Sequence, residues 1–119
     1  MPENKEYMTH QEELGTIQIS EEVVASIASA AVQEVQDVTG LMGANVSDFM
    51  GGKKMTAKGV RVEMDGEAIV VYVFIMVRYG CTIGEVAKKA QNAVYQALES
   101  TTGYPVSAVN VHVGGISFN

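Results

Sequence analysis

Cys81 and His112 are the side chains of this sequence best suited to covalent or proton-transfer chemistry. Cys81 stands in Tyr79-Gly80-Cys81-Thr82-Ile83-Gly84-Glu85, at a helix start whose free backbone N–H groups favour a thiolate. No His or Asp lies near it in sequence to act as a base, so it reads as a partly buried loop cysteine. His112 sits on the polar side of the alternating run Val109-Asn110-Val111-His112-Val113 and reads as a surface or interface histidine open to a pH response. A zinc centre needs about four ligands at suitable spacing, which one Cys and the distant His10 and His112 do not supply. Gly51-Gly52-Lys53-Lys54-Met55-Thr56 has the glycines and lysines of a phosphate loop, but a strand follows it where that motif requires a helix. Gly40-Leu41-Met42-Gly43 matches the G-x-x-G of a KH loop in letters only, because its middle residues are apolar; it reads as a helix terminator and a turn.

Composition narrows the choice further. The chain has 119 residues and 47% hydrophobic content, one domain able to bury a core without metal or disulfide. Its net charge is −6 and its pI about 4.8, which disfavours nucleic acid or an anionic membrane surface as a direct partner. A single cysteine excludes an internal disulfide and fits a reducing cytoplasm. The first residues lack the basic and apolar parts of a signal peptide, and residues 1–13, polar and without period, read as a flexible tail. Residues 14–119 read as the single domain.

The elements that must position any site follow from the apolar periods. Residues 68–77, Ala-Ile-Val-Val-Tyr-Val-Phe-Ile-Met-Val, form the longest apolar run and read as the central strand. Ahead of it, Val60, Val62 and Met64 alternate with charged residues, and Asp65-Gly66 suits a tight hairpin. Thr16-Ile17-Gln18-Ile19 predicts a short first strand with both isoleucines inward. Ser20 follows as a helix N-cap with Glu21 and Glu22 in the first turn. Val24, Ile27, Ala28, Ala31, Val35 and Val38 carry that helix to about Thr39, with Gly40 as terminator. Residues 41–58 are irregular and read as a binding loop or a segment with a short helical turn. Thr82 and Glu85 have capping-box spacing, and Ile83, Val86, Ala87, Ala90, Val94, Ala97 and Leu98 stripe a second helix that Gly103 ends. The last strand holds Val109, Val111 and Val113, with Ile116 and Phe118 able to prolong it. The order β-α-β-β-α-β predicts an α+β two-layer sandwich, a four-stranded mixed sheet with two helices on one face, its strand order open.

Both faces of the central strand are apolar. If Ile69, Val71, Val73, Ile75 and Val77 meet the helices, then Val70, Tyr72, Phe74 and Met76 line a second face that needs another cover. The candidate site is therefore a protein interface made of Val70, Tyr72, Phe74, Met76 and His112, with Lys53 and Lys54 as a basic docking patch. Self-association or a protein partner explains such a face better than a small-molecule pocket.

Several stretches together resemble the alkaline-shock, or general stress, proteins of the Gram-positive envelope stress response. They are Gly15-Thr16-Ile17-Gln18-Ile19-Ser20 leading into Val23-Val24 and Ile27-Ala28, Lys58-Gly59-Val60, Tyr79-Gly80 with Ile83 and Glu85-Val86, Thr102-Gly103, and Val109-Asn110-Val111-His112-Val113. The likeness spans residues 14–118, with Gly84 where the family usually has a proline. It implies a small cytoplasmic protein without catalytic residues or cofactors. By resemblance, as some members do, it gathers at the inner face of the membrane through an integral membrane anchor, while the uncovered apolar face suggests homo-oligomers. The alternative that the family implies is control of acetyl-CoA carboxylase and fatty-acid synthesis through contact with carboxylase subunits. An RNA-binding module is the alternative from another class, supported by element order and glycine loops alone.

Overall fold

A computed structural model describes residues 7–43, 56–66 and 68–118. Its elements are β1 (Tyr7–Glu12), β2 (Gly15–Ser20), α1 (Glu21–Gln33), β3 (Val38–Leu41), β4 (Val60–Asp65), β5 (Ala68–Arg78), α2 (Ile83–Thr102) and β6 (Val106–Ser117). The architecture is the expected α+β sandwich of a four-stranded mixed sheet with two helices on one face. β5 is its axis. β6 pairs parallel along one edge of β5 from Ile69↔Val106 to Arg78↔Ser117. β4 and β3 share the other edge end to end, both antiparallel to β5, from Asp65↔Ala68 through Val60↔Val73 and from Leu41↔Ile75 to Val38↔Val77.

The core follows from the alternation of β5. Ile69, Val71, Val73, Ile75 and Val77 are all fully buried beneath the helices. They meet Val24, Ala25, Ala28 and Val32 of α1 and Val86, Ala90, Val94 and Leu98 of α2. Burying each large side chain contributes about 1.5–3 kcal/mol. The small residues of α1 let it lie close to the sheet. Ile83, placed in the apolar stripe of α2 by spacing alone, is 42% exposed because it opens the helix beyond the sheet contact.

Helix starts differ in how they are capped. The Ser20 hydroxyl accepts the Val23 N–H at 3.3 Å, as its sequence position predicts. Ser20→Ala is expected to cost about 1 kcal/mol by urea unfolding; an unchanged midpoint would show that the cap contributes nothing. Thr82, by contrast, makes no side-chain cap bond; only its carbonyl accepts, from Glu85 and Val86. The capping box read from Thr82 and Glu85 is therefore absent. Gly103 closes α2 in the left-handed region at φ +77, as expected.

Further expectations are corrected by how the strands pair. α1 ends at Gln33, and the residues read as its last turn begin β3, so Gly40 lies in a strand opposite Met76 instead of terminating a helix. Past the helix end the chain turns at Asp37, whose φ is +74. Its carbonyl accepts the Arg78 N–H at 2.9 Å and its carboxylate the Arg78 Nε–H at 3.2 Å. β2 stays out of the main sheet and pairs antiparallel with β1, from Tyr7↔Ser20 to Glu12↔Gly15, in a segment read as tail. Hence Ile17 is 53% exposed, while Ile19, nearer the base of this hairpin, still packs against the core. The β4–β5 turn is centred one residue later than read, since Asp65 already pairs with Ala68 and Gly66, at φ +65, lies in the turn.

Candidate functional site

The face of the sheet away from the helices is built around β5. Val70, Tyr72, Phe74 and Met76 alternate onto it, and the parallel register sets Ala108, Asn110 and His112 of β6 beside the first three. On the other side Arg61 lies opposite Tyr72 and Glu63 opposite Val70, with Arg61 Nε 3.3 Å from Glu63 Oε2. An apolar stripe is thus flanked by an ion pair along one border and by Asn110 and His112 along the other. The five interface residues read on these two strands do come together on one face. Lys53 and Lys54 lie outside the described residues.

The centre of that face is closed, contrary to the open surface read from sequence. Phe74 is only 1% exposed and stands apart from the helix-side core. Its ring stacks on His112 at a centroid distance of 4.7 Å with the planes 11° apart. Val70, Tyr72 and Met76 remain half-buried, and His112 is exposed. Phe74 is therefore a buried anchor of this face, and the side chains around it are what another molecule can reach.

Beside Phe74 the two short strands of the shared edge meet. The Phe74 carbonyl accepts the Met42 N–H at 2.8 Å, and the Phe74 N–H donates to Gly59 O at 2.9 Å. One residue thus holds both the residue after β3 and the residue before β4. Gly59 is required there by its φ of +69 and by space, since a Cβ would stand 2.8 Å from Leu41 Cβ and 3.1 Å from the carbonyl oxygens of Met42 and Phe74. On the far side of β5, Gly114 and Gly115 leave room for thioether side chains: a Cβ on Gly114 would meet Met42, and one on Gly115 would meet Met76. Gly114 is the extra residue of a bulge, because the register jumps from Ile75↔Val113 to Met76↔Gly115. Sequence reasoning missed Met42, Gly59 and this glycine pair; the available signal was the double glycine within a valine-rich strand.

The chemistry-bearing residues are dispersed. Cys81 is half-buried against the core, its N–H donating to Arg78 O at 3.2 Å, ahead of α2. His112 is taken up by its stack on Phe74. In Gly40-Leu41-Met42-Gly43 the first two residues are the end of β3, so the stretch is neither a helix terminator nor the loop of a KH unit. On α2, Tyr95 donates to Glu99 at 3.0 Å; that bond and the glutamate's charge hold the exposed phenol above its usual pKa. Among the described residues no cluster of His, Cys, Asp and Glu is placed to hold a metal, and no helix is long and apolar enough to cross a membrane.

Comparison with known proteins places this geometry. The solved structure MamM-CTD 215-293 shares the fold, with a TM-score of 0.51 over 79% of this chain and 96% of that one at 18% identity. Protein YqhY of Bacillus subtilis (strain 168) is 31% identical over 94% of this chain and 85% of its own length. Protein YloU of the same organism is 34% identical over 86% of this chain and 88% of its own. Protein Spy1614 of Streptococcus pyogenes serotype M6 is 33% identical over the same shares. The model of the alkaline-shock, general stress family, described as having a "cell envelope-related function", matches residues 9–118, and the chain belongs to that family.

Proposed function

We propose that this chain is a non-enzymatic scaffold or regulator of the envelope stress response, acting by self-association and by docking a protein on the helix-free face of its sheet. The observation that carries the reading is the placement of both helices on one side of β5. This leaves half-buried Val70, Tyr72 and Met76 around the Phe74–His112 stack on the other side. Apolar side chains rimmed by polar groups on a sheet face are the usual make-up of a protein contact. An integral membrane protein of the envelope is the partner class that the family's role calls for, and it would hold the chain at the inner face of the membrane. Nucleic acid gains little here, because the net charge is −6 and Arg61 on this face lies against Glu63.

A photo-crosslinking side chain at Tyr72, activated in living cells, tests this. Adducts to an envelope membrane protein are expected, with none from the same probe at Lys89 on the exposed side of α2. Adducts confined to carboxylase subunits would move the role to control of fatty-acid synthesis. Equal, unselective labelling from both positions would end the claim for this face.

A further inference from the structure

The two edges of the sheet are finished differently. The β4 edge is covered from within: the N–H groups of Thr56 and Ala57 donate to Val60 O at 2.8 and 3.0 Å, and Thr56 Oγ1 accepts the Val62 N–H at 2.9 Å. It also carries Arg61 and Glu63. β6, at twelve residues the longest strand, pairs with β5 alone among the described residues. Its sequence, Val-Ser-Ala-Val-Asn-Val-His-Val-Gly-Gly-Ile-Ser, has no Lys, Arg, Asp, Glu or Pro, the residues that ordinarily keep an edge strand from pairing.

Which groups face outward follows from the ladder. Phe74 turns its N–H and C=O towards β3 and β4, so Val73 and Ile75 turn theirs towards β6. In a parallel ladder these reach the residues flanking their register partners, Val111 and Val113. The backbone groups of Val109, Val111 and Val113 then point away from the sheet. The Val109 carbonyl accordingly accepts from Gln91 Nε2 at 2.9 Å, an exposed side chain standing where a backbone donor would otherwise sit.

We infer that the outer edge of β6 is a homotypic joint, at which a second copy of this chain pairs its own β6 antiparallel and merges two sheets into one. The occupant is decided by complementarity. A basic partner attracted by the net charge of −6 finds no acid along β6, whereas a like-charged copy meets no repelling charge there. With Val111 opposite Val111 of the second copy, Val109 faces its Val113, whose N–H takes the place of the Gln91 side chain on the Val109 carbonyl. On the other face Asn110 meets its His112, an amide–imidazole pair formed twice by the two-fold axis. Val111 and Val113, half-exposed at the rim of the core, are covered by the same step. This inference rests on the self-association proposed above and assigns it to the β6 edge, which borders the docking face at Asn110 and His112.

The test measures wild-type mass by sedimentation equilibrium beside two variants. Val111→Pro removes an outward N–H and no bond to β5; it is expected to weaken the dimer about 10–100-fold, as the loss of two symmetry-related hydrogen bonds implies. Val111→Cys in a Cys81→Ser background is expected to form an intermolecular disulfide under mild oxidation. Facing Cα atoms in such a pair lie about 5.5 Å apart, within the range a disulfide spans. Lys89→Cys should stay reduced. Should Val111→Pro unfold, the disulfide alone decides. A wild-type oligomer that keeps its affinity in Val111→Pro and forms no disulfide through position 111 overturns the β6 joint and leaves self-association standing. A wild-type chain that is monomeric at high micromolar concentration overturns both.

Discussion

Gly59→Ala is expected to lower the melting temperature by about 10–20 °C, the larger of two glycine effects that can be separated by experiment. A residue other than glycine at a positive φ costs about 1–2 kcal/mol. A Cβ forced to 2.8 Å from Leu41 Cβ and 3.1 Å from two carbonyl oxygens adds about 1–3 kcal/mol of overpacking. For a domain of this size each kcal/mol shifts the midpoint by about 3–6 °C. Gly66→Ala is the control: its φ of +65 carries the same backbone penalty, but nothing stands within 4 Å of the added Cβ. Its midpoint should fall by about 5 °C. Equal shifts in the two variants would mean that the junction between β3 and β4 is not packed as described, and calorimetry of the pair decides it.

Phe74→Ala is expected to destabilise the fold by about 3–5 kcal/mol in urea, the range for deleting a buried aromatic ring. His112→Ala, which loses only the stack, should cost about 0.5–1.5 kcal/mol. The ratio matters because Phe74, on the alternation of β5 alone, reads as an exposed anchor whose replacement weakens association and spares the fold. Its burial reverses that expectation: a polar residue there strikes the sheet first, and any loss of association follows from that. A Phe74→Ala variant within about 1 kcal/mol of wild type would return the ring to the surface. Tyr72 and Met76, half-buried on the same face, are the positions at which binding can be altered with less damage.

What could be read from the residues depended on whether the cause was local. β5 is legible end to end because period, turn and terminator all lie within it or beside it, and the core-facing row from Ile69 to Val77 is buried throughout. Both helices show their apolar stripes, and the open face is legible as a list of residues. β3 is not legible, because Val35 and Val38 continue the helical spacing although the helix has ended at Gln33, and the turn at Asp37 that follows is held by Arg78, 41 residues away. β1 is hidden for a similar reason: its residues do not alternate, and its place is set by β2 across a two-residue turn. The burial of Phe74 shares this origin, since it depends on the register that brings His112 beside it. The edge of β6 is visible in the sequence as an absence of charge, but it acquires meaning only when the β4 edge is seen to be covered.

The double hold of Phe74 on Met42 and Gly59 separates the length of the chain between them from the geometry of the sheet. With both ends fixed beside the same residue, the sheet does not sense how many residues lie between, apart from a closure entropy that rises by only about 0.6 kcal/mol for each doubling. That segment can therefore be lengthened, shortened or recomposed while β3, β4 and β5 keep the same register. The fold thus fixes the two ends of an exchangeable insert, and the sheet is not rebuilt when what lies between them changes.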